Sequence, residues 1–215
     1  MSGDTAGSPL LTLLRQATSA WHGRVEAHPL MEAFARGQPG RGDYAAYLAG
    51  LLPVYRALEA GLEALADASP LTALRVPALY RSRAIEADLA TLGVPPSAAW
   101  TSRLSARIEA WAREAPHCLA APAYVRYLGD LSGGRVLRAR FASALDVPAA
   151  SLAFFDFGDG QAALRATWLA TLASLRLERA HTEQVAAAAV LCFSDHEPLF
   201  DEMVAAARAA VFRVA

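Results

Sequence analysis

YVRYLGDLSGGRVLRARF, residues 124–141, spaces Val125, Leu128, Leu131, Val136 and Leu137 mostly three to four positions apart, the period of one helix face. Its centre nevertheless carries Gly129, Gly133 and Gly134. Each glycine costs a helix about 1 kcal/mol relative to alanine, so the three together forgo roughly 3 kcal/mol. Elsewhere the chain uses alanine for a small helical residue, as in VAAAAV and VAAARAA. Glycine here therefore means that even a methyl group is too large, or that the helix bends. Two readings follow: close approach of a second helix, or a bare surface for a flat ligand. Asp130 favours the second, because it precedes Gly133 and Gly134 by three and four residues and so shares their face. A carboxylate over bare backbone suggests a flat ligand with chemistry above it.

Working outward, the pattern is helical almost throughout. Ser8 followed by Pro9 is a helix-start signal, and Leu10, Leu13, Leu14, Ala17 and Trp21 form a stripe in a helix expected to run to about His28, before Pro29. Asp43 is expected to cap a second helix, YAAYLAGLLPVYRALEAGLEALAD, with a kink at Pro53. Further helices are expected over about 70–91, 97–115, 118–145, 160–182 and 184–213, separated by GVPP, DVPA and FGDGQ. Runs of alternating β-branched residues are missing. The expectation is an all-α fold of roughly seven to eight helices, a single domain over 9–215 preceded by a flexible N-terminus, 1–8.

Composition narrows the function. At 215 residues the chain can bury a substantial core. A formal net charge of −1 without a basic face argues against a nucleic-acid partner. Charges interrupt every apolar run, so no window offers the roughly 20 residues of a membrane span. The N-terminus lacks the basic start and apolar core of a signal peptide. Cys118 and Cys192 have no motif spacing and read as free buried thiols, in keeping with a cytoplasmic protein.

Among the five histidines, His22 has the most suggestive setting, with Arg15 seven residues before it and Glu26 four after. A metal-bound imidazole usually has its other nitrogen held by a carboxylate, and Glu26 is spaced for that. On spacing alone an ordinary partly exposed histidine is the simpler reading. His28, His117, His181 and His196 show no comparable company, and none forms a pair at zinc-ligand spacing.

ATSAWHGRVEAHPLMEAF, PVYRALEAGLEAL and AYVRYLGDLSGG together resemble the heme oxygenase family, and RYLGDLSGG is similar to its distal-helix signature. The similarity runs from about residue 9 to residue 212. It implies a multi-helical domain that holds heme b between a proximal and a distal helix, with heme as both cofactor and substrate. His22 would then be the proximal iron ligand and Glu26 its partner, while Gly129, Gly133 and Gly134 would form the flexible distal helix against the heme face. The implied reaction uses O2 and an external electron donor, a ferredoxin or flavoprotein reductase, and yields biliverdin, carbon monoxide and ferrous iron.

The same resemblance assigns Asp130 to ordering the water that supplies protons to bound oxygen, with Tyr55 and Arg126 in its hydrogen-bond network. Tyr124, Arg15 and Arg165 match positions that hold the heme propionates, where a guanidinium pairs well with carboxylate. Leu169 departs from a basic position of many relatives, which puts the site of ring opening in question, and Arg135 stands where glutamine is common. A monomer without a membrane anchor is expected. The alternatives are a non-catalytic heme-binding or storage protein of the same fold, which would not need Asp130, and a thiaminase-like enzyme with a cysteine nucleophile.

Overall fold

The computed structural model describes residues 8–95, 100–147 and 152–211, apart from the side chains at 134–136 and 210–211. The N-terminal tail expected over 1–8 thus lies outside the described residues except for Ser8, which is buried. Pro9 begins α1 (Pro9–Glu26), its fixed φ suited to the first turn after the extended Ser8. Leu10, Leu11, Leu14 and Thr18 are the buried face of α1, which packs on the last helix of the chain.

Pro29 was expected only to follow a helix; it starts one. Ala27 ends α1, and α2 (Pro29–Ala35) begins at once, with Nδ1 of His28 accepting from the Leu30 N–H at 3.2 Å. α3 (Arg41–Glu63) is capped by Gly40 instead of Asp43. Asp43 stands in its first turn, where the helix dipole favours a carboxylate, and accepts from the Gly40 N–H at 3.3 Å. The helix continues without interruption through Pro53. It is the centre of the molecule, packed against α4, α5 and α8.

The single helix expected over 70–91 is broken by its prolines. Pro70 and Pro77 each open a 3-10 turn, Pro70–Leu74 and Pro77–Leu79, and Val76 takes the extended backbone that a following proline imposes. α4 (Ser82–Thr91) then starts under the carboxylate of Glu59, which accepts from the N–H groups of Arg81 at 2.6 Å and Ser82 at 3.0 Å. α5 (Arg103–Glu114) is capped by Ser102, and α6 (Ala120–Leu145) ends at Asp146 in the left-handed conformation, φ 50°. The last break also moves: α7 (Gln161–Ser174) stops well short of 182, and α8 (Arg179–Val211) begins earlier than expected. Leu175 leaves the helix in extended conformation yet stays buried, so apolar spacing alone does not reveal the boundary.

The fold is therefore all-α, with eight α-helices among the described residues, within the expected number. None is long and apolar enough to cross a membrane. Buried Asp88 on α4 accepts from the Tyr44 hydroxyl at 3.0 Å and from the N–H groups of Ala153 and Phe154 at 2.7 and 2.9 Å. That grip fixes the turn Ala153–Phe155, which delivers Phe155 to the wall of a cleft between α1 and α6.

Candidate active site

The cleft holds about 660 Å³, within the range of small-molecule sites. Its lining comes from six α-helices and the turn Ala153–Phe155. His22 and Glu26 stand on the α1 side, Gly129, Asp130 and Gly133 on the α6 side. Nδ1 of His22 lies 3.3 Å from Oε2 of Glu26, one turn along the helix. That contact favours the tautomer protonated at Nδ1, which leaves the Nε2 lone pair available to a metal. The His22 side chain is 59% exposed and has Phe193 beside it, ring centroids 5.8 Å apart.

The opposite wall is a buried polar network. The Tyr55 hydroxyl, brought by α3, donates to Oδ2 of Asp130. Arg126 donates from Nη2 to Oδ1 of Asp130 at 3.0 Å and from Nε to the Tyr55 oxygen at 3.1 Å. Its remaining nitrogen, Nη1, lies 3.1 Å from Nε2 of His196, whose Nδ1 is 2.6 Å from the carbonyl of Cys192. Burial raises the Asp130 pKa, with the Arg126 charge and the Tyr55 hydroxyl opposing it. Burial likewise holds Tyr55 protonated, while for Arg126 it is outweighed by the Tyr55 and Asp130 oxygens, so the guanidinium stays charged.

The glycines can now be assigned. A Cβ added at Gly129 would meet nothing within 4 Å, and one at Gly133 only Leu137 Cδ1 at 3.6 Å. Glycines used for helix packing behave differently: a Cβ at Gly61 would fall 3.1 Å from that of Ala112, and one at Gly50 would be 2.5 Å from Met203 Cε. At Gly129 and Gly133 the backbone is bare toward the cleft, not toward another helix. The surroundings of Gly134 and Arg135 lie outside the described residues.

Of the residues singled out in the sequence, the cleft gathers His22, Glu26, Tyr124, Arg126, Gly129, Asp130, Gly133 and Arg165. Tyr55 reaches it through Asp130. Arg165 stands at the rim, where Nε donates to the Ser132 hydroxyl at 3.3 Å. Arg15 is exposed and outside the lining, and Leu169 packs against the hydrophobic core. Other polar lining residues were not singled out as site candidates in the sequence. Tyr47 is buried on α3 near Arg126, and His196, which showed no company along the chain, has its partner 70 residues away. Cys118 and Cys192 are free and buried.

Among the described residues, the cleft is mostly apolar and sets one available imidazole, that of His22, on the α1 side and the bare glycine backbone on the α6 side. The family model described as heme oxygenase matches residues 8–202. Heme oxygenase 1 of Homo sapiens is 32% identical over 211 residues, covering 93% of this chain and 73% of that protein. Heme oxygenase 1 of Synechocystis is 28% identical over 203 residues, or 90% and 84% of the two chains. The structure of heme oxygenase from Leptospira interrogans matches with a TM-score of 0.82 at 30% identity, covering 90% of this chain and 98% of that one. That of heme oxygenase-1 from Synechocystis in complex with heme gives 0.81 at 28% identity, covering 95% and 98%. The chain belongs to the heme oxygenase family.

Proposed function

We propose that the protein opens the heme ring oxidatively to biliverdin, carbon monoxide and ferrous iron, using O2 and electrons from a ferredoxin or flavoprotein reductase. The observation that carries this reading is the Tyr55–Asp130–Arg126 network across the cleft from His22. The residues fit the group. Nε2 of His22 is available for iron, and the space a Cβ would occupy at Gly129 is open to a flat ring. When bound, heme supplies the iron that takes up dioxygen and the ring carbon at which opening occurs.

The protein's part is to position and to deliver protons. Glu26, 3.3 Å from Nδ1 of His22, orients the imidazole so that Nε2 faces the metal. Arg165 at the rim, Tyr124 in the lining and Arg15 farther along α1 are assigned to the propionates, where opposite charge fixes the ring in its plane. Asp130, its pKa raised by burial, orders water near the open face and passes protons, while Tyr55 and Arg126 set its orientation.

A heme carrier needs the His22 wall but has no use for a desolvated carboxylate and guanidinium on the other side, whose burial is costly. A cysteine nucleophile is disfavoured, because burial raises the thiol pKa of both Cys118 and Cys192. Residues 9–215 act as one domain, a monomer, and the two free buried thiols suit the cytoplasm. The test is to add hemin, record its Soret band, then supply a reductant under air. The expected result is loss of the Soret band with appearance of biliverdin and carbon monoxide. Bound heme that survives every reductant would leave only a carrier.

A further inference from the structure

We infer that His196 is a positioning residue for the proton-delivery network, accepting a hydrogen bond that fixes the angle at which Arg126 meets Asp130 and Tyr55. The inference rests on the oxygenase reading above for its functional part and on geometry alone for its structural part. A guanidinium has only donors and a carbonyl only accepts. Nδ1 of His196 must therefore carry the hydrogen given to Cys192, and Nε2 must offer its lone pair to Nη1 of Arg126. With that bond, all three guanidinium nitrogens are engaged, at 3.1, 3.1 and 3.0 Å, and the planar fork cannot turn.

The imidazole is itself held firmly. It is fully buried, with the ring of Phe200 edge-on at 5.5 Å. The adjacent Asp195, also buried, accepts a hydrogen bond from Nε of Arg107 at 2.7 Å and is ion-paired with Arg103, so α5 holds this turn of α8. The polar groups against the imidazole are Arg126 from α6 and the Cys192 carbonyl on its own helix; Asp130 and Tyr55 lie one step beyond, bonded to Arg126. Burial and the Arg126 charge push its pKa down to about 3, so the ring remains an acceptor at any working pH. A side chain without a lone pair would leave a buried N–H of Arg126 unsatisfied and free the guanidinium to swing from Asp130.

Two measurements decide this. In the apo-protein, nitrogen NMR of labelled histidine should find His196 neutral, protonated at Nδ1 and unprotonated at Nε2 at pH 7, without titration down to pH 5. Second, His196→Leu and His196→Gln are compared with wild type. The leucine variant should bind hemin with affinity changed by no more than about twofold, yet make biliverdin about tenfold more slowly, the scale of one lost bond to a charged group. Glutamine, which places an amide oxygen near the reach of Nε2, should restore most of the rate. A proton on Nε2, a wild-type rate in the leucine variant, or no rescue by glutamine overturns the inference. If leucine prevents folding, the tautomer in the wild-type apo-protein decides. A wild type that binds hemin without opening it overturns the oxygenase reading instead, because the tautomer is read without heme.

Discussion

Nδ1 of His22 and Oε2 of Glu26 face each other 3.3 Å apart on the exposed side of α1, and nothing else in the cleft offers an available imidazole nitrogen among the described residues. His22→Ala should therefore abolish the ordinary ferric-heme spectrum and turnover, and added imidazole should restore both in part. Glu26→Gln should be milder, with a shifted Soret band and turnover reduced by about tenfold or less. An unchanged spectrum in His22→Ala would remove this residue from the iron.

Asp130→Ala should separate binding from chemistry. The cleft keeps His22 and Arg165, so hemin affinity is expected to stay within about threefold of wild type. Biliverdin formation should fall by about a hundredfold or more, since the residue that orders the proton source is gone. Asp130→Asn should retain more activity where the amide still orders water. Both quantities come from one hemin titration followed by reduction under air.

Gly129→Ala tests the bare backbone directly. The new methyl meets nothing in the apo-protein, so helix propensity should raise stability by up to about 1 kcal/mol in urea unfolding. Hemin affinity or turnover should fall in the same variant. A substitution that stabilises and leaves both unchanged would show that the ligand does not approach this face.

Arg165 lines the rim, whereas Arg15 lies two turns from His22 and outside the lining. Arg165→Glu should weaken hemin binding by about tenfold and alter the biliverdin isomer mixture, and Arg15→Glu should do so to a smaller degree, as expected of an exposed ion pair. Affinity and isomer composition unchanged in both would put the propionates elsewhere.

Buried His196 sets a pH dependence of stability. Its pKa falls from 6.5 to about 3 on folding, so between those values the unfolded chain holds an extra proton. This contribution is complete above pH 6.5 and is lost as pH falls toward 3, at no more than about 1.4 kcal/mol per pH unit. Urea unfolding of wild type at pH 7 and pH 5 should show the loss, and His196→Gln should reduce it. An identical pH response in both proteins would mean that the ring accepts a proton when folded.

What could be read from the chain was what lies within one or two helical turns. Asp130 and Gly133 share a face by spacing, and so do His22 and Glu26; the cleft contains all four, with Gly129 beside them. Tyr47 and His196 reach the same place from other helices, and no neighbour in sequence hints at the Arg126 guanidinium between them. Boundaries failed for a different reason. Proline removes a donor wherever it stands, so Pro29 and Pro70 were equally good stops or starts, and only the partners of the following turn decide. Leu175 kept the apolar rhythm while leaving the helix, because burial does not require helical backbone.

The two walls of the cleft differ sharply in solvent contact: the His22 side chain is 59% exposed and that of Asp130 only 7%. For protein engineering this divides the molecule into an adjustable half and a fixed half. Only the exposed positions of α1 at the cleft, such as His22 and Glu26, belong to the adjustable half, since a change there leaves few neighbours disturbed, whereas its Leu10, Leu11 and Leu14 face is packed. On the other wall, one altered side chain strands a buried charge, so new reactivity there calls for several residues to be exchanged together.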